Sequence, residues 1–295
     1  MLIDTLDRIL KPLYRLLAVT GQKCLTCGRT TSLSREHFGI CRPCSLLIPW
    51  ITSLRCVYCG RTIGCPDCTR EGAGPWHFVC NRSAVTYSAD MREWLAQYKY
   101  RGNESYAPLL IRMMERGYRQ MQREFRNRQQ FVSSREASNK SRVQEHWQAH
   151  MITSVPVSYE RLQERGFNQA EVLARGLADA INLPYAELLQ RDRHTNKQSF
   201  KSRMDRLKDM EGIFRTLPEA GHLIELQANR IFSSDRKRHL RSIAPTKVPF
   251  SLRILLIDDI YTTGSTINAC SQALKNAGQS QGISVEVYSL TWARS

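Results

Sequence analysis

The sequence predicts an α/β protein, a parallel sheet with helices on both faces, with a small N-terminal cysteine-rich module attached. Three observations lead there. Nine of the ten cysteines fall between Cys24 and Cys80, eight of them in CxxC pairs. Stretches of strand and helix pattern alternate from residue 83 onward. One of those strands, 254–257, is a continuous apolar run, as expected of a parallel strand covered on both faces. The expected organisation is an amphipathic helix over 1–20, a cysteine module over 21–82 and the α/β domain over 83–295.

At 295 residues the chain is long enough for one α/β core and a satellite. Hydrophobic residues at 42% and charged residues at 24% exclude wholesale disorder and a membrane-embedded chain. The formal charge of +16 attracts polyanions: nucleic acid, phosphorylated substrates or an anionic membrane face. A basic but idle surface has the same composition, so charge supports a partner without identifying one.

At the N-terminus, Leu2, Ile3, Leu6, Ile9, Leu10, Leu13, Leu16 and Leu17 form one stripe at helical spacing. Asp4, Asp7, Arg8, Lys11 and Arg15 interrupt it, so it is neither a signal peptide nor a spanning segment. A cytoplasmic location follows, with peripheral contact at the inner face of the membrane left open.

The CxxC pairs Cys24/Cys27, Cys41/Cys44, Cys56/Cys59 and Cys65/Cys68 have zinc-knuckle spacing, and two knuckles complete a tetrahedral shell of thiolates. A disulfide scaffold needs an oxidising compartment, for which there is no leader. One or two structural zinc ions are expected. Sequential pairing is the simplest arrangement, and a crossed one is also open. Gly28 and Gly60 suit the positive backbone angle of a knuckle. Cys80 and Cys270 have no CxxC partner and read as buried thiols.

In the α/β domain, strands are expected at 83–87, 152–155, 254–257 and 285–290. Helices are expected at 90–100, 169–181 and 267–277, the last stopped by Gly278. The polar, arginine-bearing stretches 120–150 and 223–249 read as loops or insertions. Phe125, Phe131 and Trp147 there either pack locally or stack on bases.

The most informative stretch is 254–266, Ile-Leu-Leu-Ile-Asp-Asp-Ile-Tyr-Thr-Thr-Gly-Ser-Thr. Asp258 and Asp259 stand at the carboxyl end of a strand, where open α/β sheets bind ligands. Thr262, Thr263, Gly264, Ser265 and Thr266 then form a hydroxyl-rich turn at a helix start, where unpaired amides and the helix dipole suit a phosphate. The carboxylates suit the neighbouring ribose hydroxyls, and magnesium reached through water.

This stretch resembles the phosphoribosyl-diphosphate signature of the type I phosphoribosyltransferases; a receiver-like domain with paired aspartates is the alternative. Val155-Pro-Val-Ser158, Arg161 and the block Arg165-Gly-Phe-Asn-Gln169 resemble the ComF family, as do Tyr98 to Gly102, Gln198, Arg206 and Ala293-Arg294. Ser154 and Asp209 depart from it, where the family has proline and asparagine. The resemblance implies a phosphoribosyltransferase-like domain that binds phosphoribosyl diphosphate with magnesium. Arg161 and Arg165 would answer the diphosphate charge. It further implies a role in DNA uptake during natural transformation, with single-stranded DNA and a competence helicase or related DNA-processing protein as partners. Two other functions remain open: pentosyl transfer to an unidentified acceptor, and docking to the competence machinery as an adaptor.

Overall fold

The computed structural model describes residues 21–65, 68, 74–135, 147–192, 212–239 and 251–295. The helix expected at 1–20, together with Gln198, Arg206 and Asp209, lies outside them. Two compact units meet in the chain between Ile48 and Pro49.

In the first unit, β1 (Gln22–Lys23) pairs antiparallel with β2 (Thr30–Thr31), and a short helix, α1 (Arg42–Leu46), follows. These elements are too small to bury a core. Their buried side chains include Cys24, Cys41 and Cys44, so thiols stand where a larger domain would place aliphatic groups.

The second unit is built on four parallel strands in the order β3 (Cys80–Thr86), β8 (Val285–Arg294), β7 (Leu252–Tyr261), β4 (Met151–Ser154). Its helices are α2 (Ala89–Tyr100), α3 (Ala107–Arg135), α4 (Tyr159–Arg165), α5 (Gln169–Ile181), α6 (Ala220–His239) and α7 (Ser265–Ser280). A two-stranded antiparallel pair, β5 (Leu189–Arg191) and β6 (Phe214–Thr216), is attached. Side chains of β7 alternate between two buried layers. Ile254 and Leu256 share a cluster with Ile224 and Ala228 of α6 and with Ile267, Cys270 and Leu274 of α7. Leu255 and Ile257 are equally buried but lie outside that cluster, and α3 and α5 pack against the sheet and each other. Helices therefore cover both faces, as the apolar run of β7 requires.

The sequence-based helices and strands fall in place, with three differences. First, β7 and β8 are longer than the apolar runs suggest. They pair through Asp258↔Thr291 to Tyr261↔Arg294, because the buried Thr291, Trp292 and Ala293 continue β8. Asp258 and Asp259 therefore lie on the strand itself.

Second, much of the two stretches read as insertions is helical. The α3 helix continues to Arg135, with Tyr118 and Met121 buried on it. A bidentate ion pair from buried Arg82 to Glu124 (2.6 and 2.7 Å) fixes its far half. Breaking such a pair costs about 3–5 kcal/mol. Phe125 stacks on Trp147 at 4.7 Å and Trp147 packs edge-on to Tyr288 at 4.8 Å, so both rings belong to the interior. On α6, the buried Ala220, Ile224 and Ala228 recur every four residues, and that stripe, with Leu223 packed beside it, anchors the helix.

Third, the boundary between units falls near residue 48 and not near 82. Cys56, Cys59 and Cys65 lie in the same buried cluster as Phe78 and Tyr261, and Asn81 of β3 bonds to Tyr58 and Cys59 carbonyls. The second pair of knuckles is thus part of the α/β unit.

Ahead of β4, His150 accepts the Arg253 N–H at Nδ1 (3.0 Å), and its carbonyl accepts Gln227 (2.8 Å). Burial, then the Arg253 charge, pulls its pKa down from 6.5 to about 4. The unfolded chain binds more protons between those values. The stabilisation from a neutral His150 is therefore complete above pH 6.5 and lost as pH falls to about 4, a change of about 3 kcal/mol. His150→Asn should flatten stability against pH across that window in urea titrations; an unchanged slope contradicts the assignment.

Candidate functional site

At the carboxyl end of β7 the chain passes through Thr262 and Thr263 and enters α7 in three residues. Gly264 makes this possible: it sits at φ 85°, and a Cβ there would overlap the Tyr261 hydroxyl. No side chain caps the first amides of α7. Thr263 and Ser265 hydroxyls bond to each other at 2.9 Å, facing one another across the turn. Uncapped amides, aligned hydroxyls and the positive end of a 16-residue helix form a setting for an anion.

Beside this turn stand the acids. The Asp259 amide donates to Asp258 Oδ1 at 2.8 Å, and the Asp259 carboxylate pairs with Lys99 of α2. Burial, then the like charge of Asp259, pushes the Asp258 carboxyl up to about 8, with Lys99 and Arg161 acting against the rise. A carboxyl held in this way gains from ligand hydroxyls or from a cation nearby.

All the predicted strand and turn residues, Asp258, Asp259, Thr262, Thr263, Gly264, Ser265 and Thr266, thus share one strand end and helix start. The arginines differ from each other. Arg161 is exposed on α4, its amide capped by Ser158, and its charge reaches Asp258. Arg165 is engaged within the fold: it donates to Gln169 (2.8 Å) and the Tyr100 hydroxyl (3.0 Å), and its guanidinium lies 4.7 Å from the Tyr100 ring centroid. It fixes the end of α4, the helix that carries Arg161. Two cations escaped role assignment from sequence, Lys99 and Arg294, although both lie in segments that matched the family. Arg294 donates to the Tyr261 and Thr262 carbonyls at 3.2 and 3.0 Å. Nothing local in a sequence announces partners so far along the chain.

The eight CxxC cysteines form two sets of four, Cys24/Cys27/Cys41/Cys44 and Cys56/Cys59/Cys65/Cys68, with the sulfurs of each set within 4.8 Å of one another. The pairing is sequential, and all eight are free thiols. Tetrahedral zinc–thiolate geometry places sulfurs about 3.8 Å apart; the sulfurs of Cys27 and Cys41 are 3.7 Å apart and those of Cys59 and Cys65 3.4 Å. Gly28 and Gly60 lie at φ 72° and 74° and donate back to Cys24 and Cys56 carbonyls, the knuckle geometry. Burial raises the thiol of Cys24, but hydrogen bonds led by the Cys41 amide overcome this and bring it to about 6. Burial, with its fellow cysteines, pushes Cys44 up to about 12. Four thiolates so close need a cation to ionise together, and both sets fit zinc with no position left for water. Cys80 and Cys270 are buried, as expected.

The fold and site define an α/β protein with two four-thiol centres and a twin-acid strand end that leads into a helix. No protein-family model matches the chain. It is 27% identical over 272 residues to the competence protein ComFC of Streptococcus pneumoniae, covering 87% of this chain and 94% of that protein. It is 26% identical over 272 residues to ComFC of Bacillus subtilis, covering 92% and 78%. Identity to the DNA utilization protein YhgH of Salmonella typhi is 25% over 269 residues, covering 89% and 94%. Over most of its length the chain is thus similar to ComFC competence proteins and to a DNA utilization protein. Among the described residues, no helix is long and apolar enough to cross a membrane.

Full-length protein should carry two zinc ions, one for each set of four cysteines. Cys27→Ser and Cys65→Ser should each remove one equivalent in elemental analysis after gel filtration; a single ion lost with both variants would contradict two separate centres.

Proposed function

We propose that this chain is a DNA-uptake protein whose β7–α7 site binds phosphoribosyl diphosphate with magnesium and whose basic surface binds single-stranded DNA. The observation that carries the ligand reading is the adjacency of twin acids to uncapped helix amides across the left-handed turn at Gly264. The 5-phosphate lies among the amides and hydroxyls of Thr262 to Thr266, where the helix dipole favours it. Asp258 and Asp259 would accept from the ribose hydroxyls and, through water, could hold magnesium, which would supply positive charge for the diphosphate. Arg161, exposed near Asp258, meets the diphosphate charge; Arg165, held at Tyr100, keeps that segment in place. Lys99 must exchange its Asp259 contact for a ligand oxygen, or share it, when the site fills.

The DNA reading draws support from relatives named for competence and DNA utilization, and from the +16 charge. Interior packing of Phe125 and Trp147 removes them as stacking platforms, so phosphate attraction is the main term.

Calorimetry with phosphoribosyl diphosphate and magnesium should show one site on wild type. Asp258→Asn combined with Asp259→Asn should weaken it at least about tenfold, since each charged hydrogen bond contributes roughly 1.5–3 kcal/mol. Equal affinity rejects the assignment of the acids, and no binding to wild type rejects the ligand. For DNA, fluorescence anisotropy of a labelled oligonucleotide should weaken steeply between about 50 and 200 mM salt, with a log–log slope near −0.7 per phosphate neutralised. Affinity that ignores salt counts against this reading.

A further inference from the structure

Arg294, at the end of β8, is a buried cation that touches both the second thiol centre and the site turn. Its Nη1 donates to the carbonyls of Tyr261 (3.2 Å) and Thr262 (3.0 Å) and to a main-chain oxygen of Ser295, the last residue of the sequence. Its Nη2 points at Cys59 Sγ, 3.9 Å away. The guanidinium lies 4.8 Å from the Tyr261 ring centroid, and that ring packs edge-on to Phe78 at 6.4 Å. The residue is 4% exposed, and among the described residues no aspartate or glutamate side chain pairs with it.

Burying a guanidinium is costly unless negative charge or good acceptors face it. Four thiolates around one zinc ion carry net negative charge, and outer-shell donors to metal-bound sulfur both tune the metal and are fixed by it. The two carbonyls that Arg294 holds are those at which the chain leaves β7 for the turn. Tyr261 also leaves room at 264 for glycine alone, because its hydroxyl fills the space of a Cβ there.

We propose that Arg294 is a positioning residue that couples metal in the Cys56/Cys59/Cys65/Cys68 centre to the shape of the 262–266 turn. With metal bound, the Cys59 thiolate holds the guanidinium, the guanidinium holds the Tyr261 and Thr262 carbonyls, and the α7 amides keep the direction an anion needs. The consequence for ligand affinity rests on the ligand reading above; the coupling between metal and turn does not.

The test uses full-length protein loaded with cobalt, whose thiolate bands report the metal shell. Arg294→Met should shift the thiolate-to-cobalt band of one centre and speed amide exchange across 262–266 about tenfold, as charged hydrogen bonds to the two carbonyls are lost. Arg294→Lys, which keeps the charge but loses the fork, should recover the band position and only part of the protection. A second arm uses a Cys24→Ser variant, in which the second centre alone holds metal. Gradual chelation should then raise exchange across 262–266 in step with loss of the band, before 252–257 responds. Unchanged band and exchange in Arg294→Met overturn the proposal, as does a chelation response that is absent or spread evenly over β7. Titration of wild type with phosphoribosyl diphosphate and magnesium separates the two readings: failure there removes the ligand while the exchange results still decide the coupling.

Discussion

The site depends on how closely Tyr261 and Gly264 approach one another. β7 stays paired with β8 as far as Tyr261↔Arg294, so only Thr262, Thr263 and Gly264 separate the sheet from a helix. A chain that turns so sharply needs one residue in the left-handed region, and the Tyr261 hydroxyl lies where any side chain at 264 would go. The turn brings carboxylates on a strand and bare amides on a helix within reach of one ligand. Each group alone is common in α/β proteins; their adjacency gives a sugar phosphate with a divalent cation a place to bind.

Cations beside this turn have distinct roles. Lys99 occupies Asp259 and limits repulsion between the two acids, while burial and the like charge of Asp259 still push the Asp258 carboxyl above the usual carboxylate range. Arg165 is used for packing and Arg161 is left facing solvent. The two thiol centres also differ in setting. The first organises a unit of two-residue strands and one short helix, where metal supplies what a core would otherwise provide. The second packs into the α/β core beside Phe78 and Tyr261, so metal there is joined to the sheet and, through Arg294, to the turn.

Much of this was legible in the sequence because it is local. The run at 254–257, the two acids, the hydroxyls around Gly264 and the CxxC spacing each state a backbone geometry or a ligand type within a few residues. The sulfur pairing was open on spacing alone and is settled by which loops approach one another. What was illegible depends on distant partners. The α3 helix looked like a polar insertion because its anchors, Arg82 and Trp147, lie on other segments. The contact of Arg165 with Tyr100, 65 positions away, was equally out of reach. The boundary near residue 82 was misplaced for the same reason: the second knuckle pair belongs to the sheet through contacts with Asn81 and Tyr261 that spacing does not encode.

The most direct measurement of the central claim is a two-dimensional NMR titration of isotope-labelled protein with phosphoribosyl diphosphate and magnesium, following backbone amides. The account predicts saturable shifts concentrated at Asp259 and at Gly264 to Ile267, with the amides of α6 unmoved. Shifts that leave those positions still while moving a different surface would contradict it.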